Sequence, residues 1–206
     1  MLGIAADGGP DASWRGDPGL AGGGAMLDMG YHAVDLVVGL LGVPDRVYAV
    51  MHPRQRPQGG GAVEQRGTVF LEFQEDCVAT LLVGRHLVPK AERFSLSTDE
   101  CTYEYEEGLG LRREGRDQGT RVAVAEKPED LRHKQLHEFV RHARGLPSLA
   151  VTFDDSMPTM VTLDACYASA RTRVPVAPRW PEGDVGPRTG SRPPHPVGDA
   201  DAQSPG

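Results

Sequence analysis

The stretch TVFLEFQEDCVATLLVG, Thr68 to Gly84, decides the fold. Val69, Leu71 and Phe73 alternate with Thr68, Phe70 and Glu72, the period of a strand that buries one face. Gln74 to Asp76 separates this run from the apolar CVATLLVG at hairpin distance, so two antiparallel strands are expected. Moving outward, RFSLST (Arg93 to Thr98) and CTYEYEE (Cys101 to Glu107) follow at short intervals with turn residues between them. The pattern predicts an antiparallel meander from Arg46 to about Ala125, with Pro53 to Gly61 as a loop.

Helical spacing flanks the strands. Upstream, Leu27, Val34, Val37, Val38 and Leu41 place a helix over roughly Gly24 to Leu41, stopped by Gly42 and Pro44. Downstream, EDLRHKQLHEFVRHARG (Glu129 to Gly145) carries an apolar stripe of Leu136, Phe139, Val140 and Ala143 and ends at Gly145 and Pro147. In FDDSMPTMVTLDACYASARTR (Phe153 to Arg173), Asp154 or Asp155 is the expected N-cap, with Pro158 in the first turn. A helix, a run of strands and then helices make an α+β domain, an open, mainly antiparallel sheet with helices on one face. The other face needs a cover; Phe70, Tyr103 and Tyr105 are expected there, which predicts homo-oligomerisation through that face. Met1 to Ser13 shows no periodicity and reads as irregular. The domain runs from Trp14 to Val176. Eight of the 17 prolines lie between Pro175 and Pro205, and residues 177–206 are expected to be disordered.

Composition narrows the function classes. The chain has 206 residues, 39% hydrophobic and 25% charged, which suits a globular domain plus an extension. Its formal charge of −7 argues against nucleic acid, whose phosphates need clustered Lys and Arg. The apolar run Ala33 to Leu41, broken by Asp35 and Gly39, falls short of the ~20 residues that span a bilayer. Met1 to Ser13 has neither basic nor apolar leader regions, so the cytoplasm is expected. Cys77, Cys101 and Cys166 are far apart and lack zinc-site spacing, which predicts buried reduced thiols, the first two on strands.

The chemistry concentrates on the first helix. Asp28, His32 and Asp35 are spaced i, i+4 and i+7, on one stripe away from the apolar one. A carboxylate one turn from an imidazole can hold it in one tautomer, as proton transfer to or from a hydroxyl requires. Gly22, Gly23 and Gly24 let a flat ligand approach the helix start. From the residues alone, an Asp and a His at this spacing on an exposed helix are more often a solvated pair than a catalytic one. No metal site is expected: this stripe offers one His and two carboxylates with no fourth ligand. His133, His137 and His142 read as polar residues on a solvated face, since HEFVRH is one residue too long for the zinc signature.

The run WRGDPGLAGGGAMLDMGYHAVDLVVGLLGVPDRVYAV (Trp14 to Val50) resembles the start of the C-terminal domain of the Gfo/Idh/MocA family of NAD(P)-dependent oxidoreductases. The Trp-Arg pair, Asp-Pro, triple glycine, D-x-x-x-H and Leu-Leu-Gly-x-Pro occur in order. HEFVRHARGLPSLAVTFDDSMPTMVTLDACYASARTRVPV (His137 to Val176) resembles the family's closing helices. The resemblance implies a substrate and assembly domain that works beside a Rossmann domain binding NAD or NADP. Members oxidise a sugar or cyclitol hydroxyl, or reduce the ketone. It implies His32 as the acid/base, Asp28 as the substrate-binding neighbour that orients it, and a structural role for Asp35. Substrate contacts are implied at Gly24, Tyr31, Trp14 and Arg15, and cofactor contacts at Gly22 and Gly23.

The sequence departs from the family in carrying no G-x-G-x-x-G after a strand and no βαβ unit ahead of Trp14, so no Rossmann domain is expected in this chain. GLGLRREG (Gly108 to Gly115) does not meet that fingerprint. Lys127, in an EKP run resembling the family's catalytic lysine segment, stands downstream of the strands and reads as coincidental. The strand that precedes the Trp-Arg segment in the family is also expected to be missing. Three functions follow. The first is the catalytic half of a sugar or cyclitol dehydrogenase, truncated or split and inactive without a Rossmann partner chain. The second is a non-catalytic polyol-binding or oligomerisation module. The third is a fragment that does not fold alone.

Overall fold

Residues 2–5, 14–53, 63–85, 92–107, 109–115, 120–122 and 128–181 are described by the structure, a computed structural model. The hairpin read at Gln74 to Asp76 joins β3 (Glu64–Glu72) to β4 (Val78–Gly84), with Leu71 opposite Ala79 and Val69 opposite Leu81. Its two central residues, Glu75 and Asp76, have φ of 59° and 57°. Side chains other than Gly, Asn and Asp rarely take this left-handed region. Cross-strand packing of the flanking apolar pairs holds the turn there.

Around the hairpin, β2 (Arg46–Pro53) pairs antiparallel with β3, and β5 (Arg93–Ser97), β6 (Cys101–Glu106), β7 (Gly110–Gly115) and β8 (Thr120–Val122) form the rest of the meander. β1 (Leu2–Ala5) lies between the two halves, parallel to β4 and antiparallel to β5, in the sheet order β2-β3-β4-β1-β5-β6-β7-β8. This corrects the irregular N-terminus expected over residues 1–13 and the missing strand. Four residues including Gly3 and Ala5 span only two strand periods, too few for alternation to register. The loop after Pro53, Lys127 and residues 182–206 lie outside the described residues.

Helices cover one face. A single-turn π-helical segment (Met26–Gly30) runs into α2 (Tyr31–Leu41), and α4 (Phe153–Thr172) lies alongside to form this cover; α1 (Pro18–Ala21) and α3 (Pro128–Ala143) are the remaining helices among the described residues. Met26, Ala33, Val34 and Val37 of the first helix and Leu163 and Cys166 of α4 bury against Val47, Ala49, Val69, Leu71, Leu81 and Val83. Each fully buried aliphatic side chain contributes about 1.5–3 kcal/mol. By length and composition, 18–41 would be apolar enough to cross a membrane, yet half of it is buried inside this protein. After α4 the chain returns to β2, where Val47 and Val176 exchange both backbone hydrogen bonds at 2.8 and 2.9 Å and protect that edge.

Three further expectations are corrected. α4 begins two or three residues earlier than read: Thr152 is the N-cap, in a reciprocal capping box with Asp155, so Pro158 stands in the second turn. The α3 stripe is not buried, with Leu136 and Phe139 both 61% exposed. The aromatic residues divide between the faces. Phe70, 49% exposed, lies on the open face opposite Tyr48 and Thr80, but Tyr105 and Tyr103 pair with Phe94 and Leu96, and Phe94 packs on the core side. Strand period alone cannot say which parity faces the helices; the register across β1 decides it.

Of the cysteines, all free, Cys166 is buried, whereas Cys77 and Cys101 are only partly so, and Cys77 sits in the turn before β4. Burial pushes the Cys166 thiol up from 9.0 to about 12. The folded protein therefore keeps a proton that the unfolded chain releases near pH 9. That stabilisation is complete below pH 9 and is lost as pH rises toward 12, at up to about 1.4 kcal/mol per unit. Urea unfolding at pH 8, 9.5 and 10.5 should show the decline in the wild type and a shallower one in Cys166→Ala; equal slopes would refute it.

Candidate active site

The acid-bearing turn is built from the glycine run. Asp17 caps α1 by accepting from the Gly19 N–H at 2.8 Å, and Pro18 fills the first position, where no N–H is needed. Gly22 ends α1 at φ 71°. The chain then passes between α4 and β3. A Cβ on Gly23 would lie 2.2 Å from the Tyr167 hydroxyl, and one on Gly24 would lie 1.9 Å from the Glu64 carbonyl oxygen. Both glycines are buried. The space a flat ligand would need above them is filled by the protein's own Tyr167 and Glu64, which corrects the reason given for the glycines. Gly22 alone of the three is exposed.

Glu64 is the buried centre of this arrangement. Its Oε1 accepts from the backbone N–H groups of Gly24 at 2.8 Å and Met26 at 3.0 Å, and from the Tyr167 hydroxyl at 2.8 Å. Two of these donors open the first helical turn, where no intrahelical acceptor exists, and negative charge there is stabilised by the helix dipole. Three donors offset the cost of burying the carboxylate. Burial first, and then the Glu64 charge, push the Tyr167 phenol well above its usual range, so it stays a hydrogen-bond donor.

Asp28 and His32 emerge from the far side of this turn, both exposed. Asp28 lies in the π-helical segment, a widened turn found often at functional sites. The sequence pairs its carboxylate with His32; the structure pairs it with Arg85, Nη2 to Oδ2 at 2.8 Å. The His32 ring instead stacks beside Tyr31, centroids 3.8 Å apart at 36°. Asp35 accepts from the Thr159 hydroxyl at 2.8 Å and ties α2 to α4. Trp14 is exposed in the 3-10 turn Trp14–Gly16, which also contains Arg15 and whose Trp14 carbonyl accepts from the Asp17 N–H at 3.1 Å. His133, His137 and His142 are exposed on α3.

Arg85, Glu64 and Tyr167 escape sequence reading because their partners are 57, 40 and 103 residues away. The one legible signal is the polar pair Glu64 and Gln65 opening an apolar strand. Chemically, the site offers an exposed imidazole and an anchored carboxylate on one helix face, suited to a ligand hydroxyl that is bound and deprotonated.

Comparison with known proteins adds the following. Residues 4–104 match the GFO/IDH/MocA C-terminal domain. The chain is 29% identical over 165 residues to D-xylose 1-dehydrogenase (NADP(+)) 2 of Haloferax volcanii, a match covering 77% of this chain and 49% of that protein. Among solved structures, it superposes with TM-score 0.73 on the aldose-aldose oxidoreductase of Caulobacter crescentus complexed with glycerol, at 21% identity over 85% of this chain and 54% of that one. It superposes with TM-score 0.72 on levoglucosan dehydrogenase in complex with NADH and levoglucosan, at 19% identity over 87% and 58% of the respective chains. These likenesses establish a shared fold. The chain spans about half the length of the relatives it matches.

Proposed function

We propose that this chain, whose residues 4–104 match the GFO/IDH/MocA C-terminal domain, is the substrate-binding and catalytic half of an NAD(P)-dependent sugar or cyclitol oxidoreductase, working with a dinucleotide-binding domain. The observation that carries this reading is the exposed Asp28–His32 pair on one helix, its carboxylate anchored by Arg85. In this reading Asp28 accepts a hydrogen bond from a substrate hydroxyl, and His32 takes the proton as the carbinol becomes a ketone, or returns it in the reverse direction. Tyr31, Trp14 and Arg15 border the sugar, with Gly24 shaping the turn beneath it. The redox chemistry belongs to the nicotinamide.

Of the two expected cofactor contacts, Gly23 lies under the Tyr167 hydroxyl and is a poor fit for close approach of a dinucleotide, which leaves only the exposed Gly22. The reading therefore places the cofactor on a Rossmann-domain partner chain or a domain of a longer chain. It includes self-association through the open sheet face around Phe70, and a reducing, cytoplasmic location that suits three free thiols. The same misfit favours a second reading, a polyol-binding or assembly module without catalysis.

The test is saturation-transfer NMR of D-xylose and of NADPH against the 206-residue chain. D-xylose should bind and NADPH should not, and His32→Ala should weaken the sugar by about fivefold, the worth of one lost hydrogen bond, with the melting transition kept. Hydride transfer appearing on addition of a dinucleotide-binding domain would separate the first reading from the second. Unchanged D-xylose binding in both His32→Ala and Asp28→Ala would refute the site.

A further inference from the structure

Resting on the reading above, we propose that Arg85 is a positioning residue that acts through Asp28, fixing one carboxylate oxygen so that the other is presented to a substrate hydroxyl. Arg85 closes β4: its N–H donates to the Gln65 carbonyl at 3.1 Å, and its guanidinium reaches across to Asp28 at 2.8 Å. The Arg85 side chain is 9% exposed and that of Asp28 is 42%. A cation sunk into the wall thus holds an anion that remains open to solvent. Among the described residues Oδ1 of Asp28 accepts no hydrogen bond.

The neighbouring strand fixes both ends of the arrangement. Glu64 grips the start of the turn at Gly24 and Met26, the Asp28 N–H donates to the Gly24 carbonyl at 2.9 Å, and the adjacent Gln65 holds the Arg85 backbone. The Asp28 carboxylate is consequently placed by two successive residues of β3, independently of His32. With Arg85 on Oδ2, both lone pairs of Oδ1 stay available to a further donor. A planar guanidinium also orients a carboxylate better than a flexible ammonium does.

The test uses the 206-residue chain and D-xylose as probe. In nitrogen-15 NMR, the Arg85 guanidinium protons should be resolved in the wild type and collapse in Asp28→Asn. Arg85→Met should weaken D-xylose by about tenfold, with Arg85→Lys recovering about threefold of that. Should Arg85→Met fail to fold, Asp28→Asn carries the same two readouts with the arginine retained. An unchanged guanidinium signal in Asp28→Asn, or D-xylose affinity indifferent to Arg85→Met, overturns the proposal. Sugar binding that depends on His32 but not on Arg85 overturns it while leaving the proposed function standing. Absence of D-xylose binding by the wild type overturns both.

Discussion

Gly24→Ala is expected to destabilise the folded chain by about 3 kcal/mol or more, at the upper end of overpacking effects. The new methyl would sit 1.9 Å from the Glu64 carbonyl oxygen and 2.8 Å from the Glu64 backbone nitrogen and carbon. These are strand backbone atoms, held by the β3 ladders, and cannot rotate away as a side-chain tip could. Relief requires the helix start to lift from β3, which breaks the Gly24 and Met26 hydrogen bonds to Glu64. Gly39→Ala is the internal control. Gly39 is exposed in α2, and a Cβ there meets nothing within 4 Å. Alanine at an open helical position stabilises by about 0.5–1 kcal/mol. Urea unfolding of the two variants should therefore move in opposite directions, and a Gly24→Ala midpoint equal to that of the wild type would contradict the close approach.

The second large effect is expected at Glu64. Glu64→Ala leaves two backbone N–H groups and the Tyr167 hydroxyl without their acceptor in a buried setting. At about 1–3 kcal/mol for each stranded donor, with some regained by water entry, the loss should reach about 3–5 kcal/mol. Tyr167→Phe removes one donor and leaves the carboxylate two, so about 1–2 kcal/mol is expected. Glu64→Gln should fall between them, because its amide oxygen still accepts from the helix start. Denaturant midpoints in the order wild type, Tyr167→Phe, Glu64→Gln, Glu64→Ala support the arrangement. Glu64→Ala more stable than Tyr167→Phe would mean that the carboxylate is not the organising group.

Both effects bear on the site because Asp28 follows Met26 by two residues. A helix start displaced from Glu64 carries Asp28 away from Arg85. Substitutions at the buried Gly24 and Glu64 should thus reduce ligand binding as well as stability.

What can be read from local pattern alone has a common character. The β3–β4 hairpin follows from the alternation over Thr68 to Phe73, and α2 from apolar residues at helical spacing ended by Gly42 and Pro44. The placement of Asp28 and His32 on one exposed stripe also needs only the helical period. These are short-range properties, set by the backbone geometry of a single element. The capping of α4 was equally local, but Asp154 and Asp155 offered themselves beside Thr152, and the reciprocal Thr152–Asp155 bonds selected the earlier start.

Tertiary structure alone decided the rest, because it joins residues whose separation exceeds any local period. β1 owes its strand to β4 and β5, which supply backbone partners on both sides of a segment too short to declare itself. Tyr103 and Tyr105 take the helix-covered side through a register passed along from β4 by way of β1 and β5. The triple glycine signals in sequence that something comes close, and the fold identifies it as Tyr167 and Glu64. The sequence by itself determined which helix bears the acid and the imidazole. Only the packing of β3 and β4 beneath that helix determined that the carboxylate belongs to Arg85, since an ion pair across 57 residues exists only once the sheet has brought its ends together.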